Sequence, residues 1–332
     1  MTKKNWKQSL LKSGLPLEFE VKKQFLENNC IVSDEFTYIR EDEENKLKEF
    51  SYDLDAYFQI ERNAFKFLVE CKYRSPGIKW LFLPAPTTYL KEIHKNSFLN
   101  TVDFFIKDES PYRYVEYSRL FPLTLGPFCK KGIEIADEKY DESSIRKAIN
   151  QLAYAIIEKI IESIDSQIGD VGEVAYKFIY HHIPIIVTTA DLYLINENTT
   201  IQEINNANEV EEIAIETDFL IYHHDIGRDL EEYNYEALKS YFEDKNQKYI
   251  KKSLSTFTDN IDHLIEVIST TYSPSCILII KHDTKSYQKL FNYLNELINP
   301  SNETLSEIEK GAEEFRKKFE EMNIIFNSKK KI

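Results

Sequence analysis

Apolar and polar residues alternate with a period of two along residues 49–58 and again along 65–74, the pattern of strands with one buried face. In the first stretch Phe50, Tyr52, Leu54, Ala56, Phe58 and Ile60 oppose Ser51, Asp53, Asp55 and Gln59. In the second, Phe65, Phe67, Val69, Cys71 and Tyr73 oppose Lys66, Glu70, Lys72 and Arg74. The short link at 62–64 predicts an antiparallel hairpin. Side chains two apart share a face, so Asp55, Glu70 and Lys72 are expected to converge, with Asp53 as the other aspartate on that side.

Elsewhere the period changes. Leu17, Val21 and Phe25, extended by Leu26, follow Pro16 and predict a helix ending near 28–29. A strand is expected at 30–40 and a charged hairpin tip at 41–46. A long helix is expected over 143–166, with Ile145, Ile149, Leu152, Ile156 and Ile160 inward. Residues 184–195 read as a buried strand and 213–223 as another. Between them and the hairpin, a stretch broken by Pro and Gly, with one strand at 102–107, reads as an inserted subdomain covering about 76–140. Helices at 235–242, 251–268 and 302–322, interrupted by a strand at 276–281, predict a mostly helical C-terminal region. The expected division is therefore 1–227 and 228–332.

Two carboxylates and a lysine on one strand face repel and attract in a way that invites a cation. Hard oxygen ligands with no Cys or His beside them favour Mg²⁺ or Mn²⁺, and a neighbouring ammonium can stabilise charge on a phosphoryl group. With Asp53-Leu54-Asp55-Ala56-Tyr57 before Glu70-Cys71-Lys72, the segment resembles the PD-(D/E)xK nuclease superfamily, and Gly14 to Val21 resembles the opening helix of its Mrr-like members. The resemblance implies an α/β fold with a restriction-endonuclease-like αβββαβ core and a central mixed sheet. It implies Asp55 and Glu70 as metal ligands with the Cys71 carbonyl, Lys72 as the residue assisting water, and Glu18 as a further acid. It implies Gln151, Arg74 and Lys79 as weaker substrate contacts; for Gln151 and Glu18 a solvated helix residue is the competing reading. The activity implied is Mg²⁺-dependent endonucleolytic hydrolysis of DNA, in a restriction or phage-defence setting. A catalytically silent scaffold in a larger assembly, or an RNA-cleaving nuclease, are the alternatives.

Composition narrows this further. The chain has 332 residues, 42% of them apolar, enough for a large core. No run reaches the ~18 apolar residues of a membrane span, and the lysine-rich start lacks a signal peptide's apolar centre. Cys30, Cys71, Cys129 and Cys276 are scattered, as expected of reduced thiols in a cytoplasmic protein. The pairs His181-His182 and His223-His224 read as strand-end residues, since strand neighbours face opposite ways. A net charge of −14 is unfavourable for a polyanion partner. It requires that Lys66, Arg74, Lys79, Lys245, Lys248, Lys251 and Lys252 form a basic strip. A homodimer or a partner protein is expected, because cutting a duplex takes two sites.

Overall fold

The computed structural model describes residues 6–41, 46–85, 96–106, 121–136, 139–169, 178–224, 227–243, 245, 260–271 and 276–329. Helix α1 (Trp6–Lys12) leads through Gly14 into α2 (Leu15–Glu27), with Pro16 in its first turn. Gly14 has φ +86°, and an added Cβ would come within 3.1 Å of a Glu18 carboxylate oxygen. The positive φ calls for glycine there. Strands β1 (Ile31–Ser33), β2 (Phe36–Glu41), β3 (Leu47–Tyr52), β4 (Leu54–Ile60) and β5 (Asn63–Lys72) follow. Then come β6 (Lys79–Pro84), β7 (Asn100–Val102), β8 (Phe128–Ala136) and β9 (Lys139–Asp141). Helix α3 (Ser143–Gly169) precedes β10 (Ile179–Thr188), β11 (Asp191–Ile195), α4 (Ile201–Asn206), β12 (Ala214–Glu216) and β13 (Phe219–His223). The chain continues through α5 (Arg228–Glu243), α6 (Ile261–Thr271), β14 (Cys276–Lys281), α7 (Thr284–Ile298) and α8 (Asn302–Lys329).

One mixed sheet runs β1-β4-β5-β10-β14-β13-β8-β6-β11-β12, with β7 on β10 and β9 on β8. Strands β5, β10 and β14 are parallel, and β4 is antiparallel to β5. Two apolar layers cover the sheet. Ile149, Leu152 and Ile156 of α3, with Leu238 of α5 and Leu264 of α6, meet Leu68, Ile186 and Ile279 on one face. Leu17, Val21 and Phe25 of α2, with Leu290 and Leu294 of α7, meet Phe67, Ile185 and Leu278 on the other. This is the α/β expectation in its general form: a sheet covered on both faces by helices.

Several boundaries differ from the sequence reading, each because pairing partners change along one apolar run. Residues 30–40 divide into β1, on β4, and β2, which pairs with β3 in a separate two-stranded ribbon. Residues 184–195 divide at Thr189-Ala190. There Thr188 Oγ1 donates to the Lys72 carbonyl (2.9 Å) and accepts from the Ala190 N–H (3.1 Å), and β11 leaves to pair with β6. Residues 213–223 likewise become β12 and β13. The strand expected at 102–107 is not found: β7 ends at Val102, residues 103–106 form a turn, and residue 107 lies outside the described residues.

The segment read as an inserted subdomain supplies β6 and β8 to the main sheet. The C-terminal region is likewise no appendage: β14 lies inside the sheet between β10 and β13. His181 and His182 are fully buried within β10 rather than at a strand end. His181 bonds Thr101 and Asn63, and His182 Nε2 lies 3.0 Å from Ser163 Oγ. Helix α7 has no counterpart in the sequence reading, although Asp283, whose side chain accepts from the Lys285 N–H, is an N-cap signal before an amphipathic run.

Candidate metal centre

The alternation along residues 49–58 is reset at Asp53. Tyr52, closing β3, is buried among residues facing α3, whereas Leu54, opening β4, is buried on the α2 face. Asp53 sits at the switch. Its N–H donates to the Val69 carbonyl (3.1 Å), and its Oδ2 accepts from the Cys71 N–H (2.6 Å). The carboxylate is thereby held against the end of β5. That is where Glu70 lies, with 1% of its surface exposed.

Glu70 has two unlike oxygens. Oε1 contacts the Lys72 ammonium, while Oε2 is buried without a hydrogen-bond partner. Burial, then the charge of Asp53, push its pKa up to about 8 against the pull of Lys72, with Glu18 adding to the rise. Asp53 is raised by burial, countered by the Cys71 N–H and Lys72. Glu18, reaching in from α2, is raised by burial and then by Asp53 and Glu35, with Lys72 opposing. Three carboxylates thus act around one ammonium, a group short of positive charge.

Asp55 is not part of it. Its carboxylate turns toward α3, where Oδ2 lies 2.8 Å from Lys159 Nζ and Oδ1 accepts from the Tyr52 hydroxyl (3.2 Å). The expected convergence of Asp55 with Glu70 and Lys72 is therefore corrected: Asp53 takes that place. Nothing local in Ser51-Tyr52-Asp53 announces the reset, which comes from β3 leaving to pair with β2. Cys71 contributes its backbone N–H, and its thiol is buried in the α2-side layer.

The weaker candidates are engaged elsewhere. Gln151 donates to the Ser51 carbonyl (2.8 Å) and its own carbonyl accepts from Tyr38, tying the β2–β3 ribbon to α3. Arg74 is held by Glu134, Ser144 and the Tyr73 carbonyl, and Lys79 lies 5.6 Å above the Tyr193 ring. Trp80, beside Lys79, is fully buried and donates to Glu134 (2.9 Å).

Comparison with protein-family models, curated proteins and solved structures finds no match for this chain. Among the described residues, no three or more His, Cys, Asp or Glu side chains already enclose a metal position. The donors nonetheless suit a hard divalent ion, because Mg²⁺ is held by one or two carboxylates and keeps several waters. The observation that meets this requirement is the buried, unpartnered Oε2 of Glu70, a carboxyl whose main charged neighbour is Asp53. The residues expected to form a basic strip are mostly engaged with neighbours where they are described. Lys72, Arg74 and Lys281 each lie on a carboxylate, as does Lys245 on Asp165, while Lys66 bonds Ser163. Lys248, Lys251 and Lys252 lie outside the described residues. An open cleft of about 720 Å³ lies away from the cluster, between α7 and α8, and shares none of these side chains.

Proposed function

We propose that the chain is a Mg²⁺- or Mn²⁺-dependent phosphodiesterase acting on DNA, with a centre of PD-(D/E)xK type in which Asp53, rather than Asp55, serves with Glu70. The observation that carries this is the buried, unpartnered Glu70 oxygen beside Asp53 and Lys72. Asp53 and Glu70 would hold the ion, which when bound supplies charge neutralisation at the phosphoryl oxygens and a more acidic water. Asp53 is oriented by the Cys71 N–H, so its free oxygen is presented in one direction. Lys72 exchanges its contact with Glu70 for the phosphoryl oxygen on which charge grows. Glu18 stands beside Asp53 as the group able to take a proton from the attacking water. Its raised affinity for protons suits that task.

The silent-scaffold reading draws its support from the paired cations and the net charge of −14. One experiment separates the two. Purified protein is incubated with duplex DNA, single-stranded DNA and RNA in Mg²⁺, Mn²⁺ or EDTA, and Mn²⁺ binding is followed separately by calorimetry. Glu70→Gln and Asp53→Asn should lose both binding and cleavage. Lys72→Ala should keep Mn²⁺ binding and lose about 10²-fold or more in rate. Asp55→Asn should keep both, at a stability cost of about 1–2 kcal/mol for one charge-assisted contact, because Lys159 keeps Glu162 as a partner. Wild-type cleavage by Glu70→Gln removes the proposal. Mn²⁺ bound without cleavage of any substrate favours the scaffold, and cleavage of RNA alone reassigns the substrate.

A further inference from the structure

Glu35 is an acid that the sequence reading passed over. It lies between β1 and β2, where the chain leaves the main sheet for the two-stranded ribbon. Ser33 pairs with Asp55 before that crossing and Phe36 pairs with Tyr52 after it, with two residues between on each strand. The antiparallel register therefore carries through the switch, setting Asp34 across from Leu54 and Glu35 across from Asp53. Residues opposite one another in such a pair have Cα atoms about 4.5–5.5 Å apart, and like charges placed there repel.

Helix α2 borders the same place. Glu18 and Lys22 stand one turn apart and share a face of the helix. Lys22 is ion-paired with Asp34, which lays that face along the crossing and brings Glu18 beside Glu35. Electrostatics agree with the register, since the charge of Glu35 raises the carboxyl pKa of both Asp53 and Glu18. Glu35 is exposed, and its carboxylate has no hydrogen bond or cation among the described residues. Opposed carboxylates of this kind are costly unless a cation joins them. Acids alone would not mark a ligand site. The independent sign is Glu70, 1% exposed, whose Oε2 has no partner and whose main charged neighbour is the same Asp53.

We propose that Glu35 is a further ligand of the metal centre, directed with Asp53 and Glu70 at one divalent ion. This rests on the reading of Asp53 and Glu70 as the residues that hold the ion. Affinity for a hard cation follows the number of charged oxygen donors, so a third carboxylate strengthens a site that two would hold loosely. It also leaves Glu18 for the proton.

Mn²⁺ binding to the full chain is measured by calorimetry for wild type, Glu35→Gln and Glu70→Gln, with circular dichroism verifying that each is folded. The series is run at low salt and again at about 1 M salt, where the Debye length falls to ~3 Å. Glu35→Gln should bind at least about 10-fold more weakly than wild type. The same factor should hold at high salt, because a direct ligand is not screened. In EDTA the melting temperature of Glu35→Gln should equal or exceed that of wild type, since a repulsion has been removed. Wild-type affinity in Glu35→Gln, with binding lost in Glu70→Gln, overturns the assignment of Glu35 and leaves the Asp53–Glu70 centre standing. A deficit that vanishes at high salt also overturns it, because Glu35 then acts only as a distant charge. So does a lower melting temperature in EDTA, the mark of a residue that serves the fold. No Mn²⁺ binding by wild type removes the centre itself, and Glu35 with it.

Discussion

Glu70 is a carboxyl group whose surroundings prefer it protonated. Its pKa rises from an ordinary 4.5 to about 8 in the fold, chiefly through burial and then through Asp53. Between those values the folded protein keeps a proton that the unfolded chain has released. The stability this contributes is full below the ordinary value and is lost as pH rises through about 8. Asp53 and Glu18, also raised, act in the same sense. His181 and His182 act oppositely. Burial pushes both pKa values down, His181 to about 3, so their contribution is present above the ordinary histidine range and is lost on acidification. The comparison that isolates Glu70 is therefore wild type against Glu70→Gln in EDTA. Melting temperature should fall more steeply for wild type across the window from 4.5 to about 8, and Mn²⁺ should raise it more at the alkaline end, where no proton competes. Equal slopes for the two proteins would contradict a buried, proton-retaining Glu70.

At the level of elements, one close approach is limited by backbone atoms. Gly126 leads into β8 where the chain meets β13, and the Ile221 N–H donates to the Pro127 carbonyl (2.9 Å). A Cβ on Gly126 would stand 2.5 Å from the Phe219 carbonyl oxygen, which cannot swing aside. Gly126→Ala should therefore cost about 1–3 kcal/mol, as overpacking does, and lower the urea midpoint without changing the slope. Gly77 is the contrast. It has φ +87° and open space around it, so Gly77→Ala carries only the backbone cost of roughly 1 kcal/mol. If the two substitutions are equally costly, the β8–β13 contact is looser than these distances imply.

The whole molecule is built across its length. The sheet's interior is assembled from β5, β10 and β14, whose residues lie far apart in sequence, and both apolar layers need the C-terminal helices. A fragment ending at residue 227, the boundary the sequence suggested, would lose β14 and expose the edges of β10 and β13. The full chain should unfold in a single transition, and the 1–227 fragment should fail to give a native circular-dichroism spectrum. A folded 1–227 fragment that binds Mn²⁺ would restore the two-part reading. Among the described residues, no helix is long and apolar enough to cross a membrane.

The sequence by itself determined what depends on neighbours a few residues away. The hairpin of β4 and β5, the α2 stripe of Leu17, Val21 and Phe25, the span of β14 and the proximity of Glu70 to Lys72 all follow from the local pattern, although β5 is buried on both faces rather than on one. Tertiary structure decided whatever depends on which strand a segment pairs with. The apolar pattern runs unbroken through Tyr52, Asp53 and Leu54, yet β3 pairs with β2 while β4 pairs with β5, and the faces exchange at Asp53. That exchange sends Asp53 to Glu70 and Asp55 to Lys159. Periodicity records which side of a strand is apolar; it does not record which partner will cover it, because that free energy belongs to residues elsewhere in the chain.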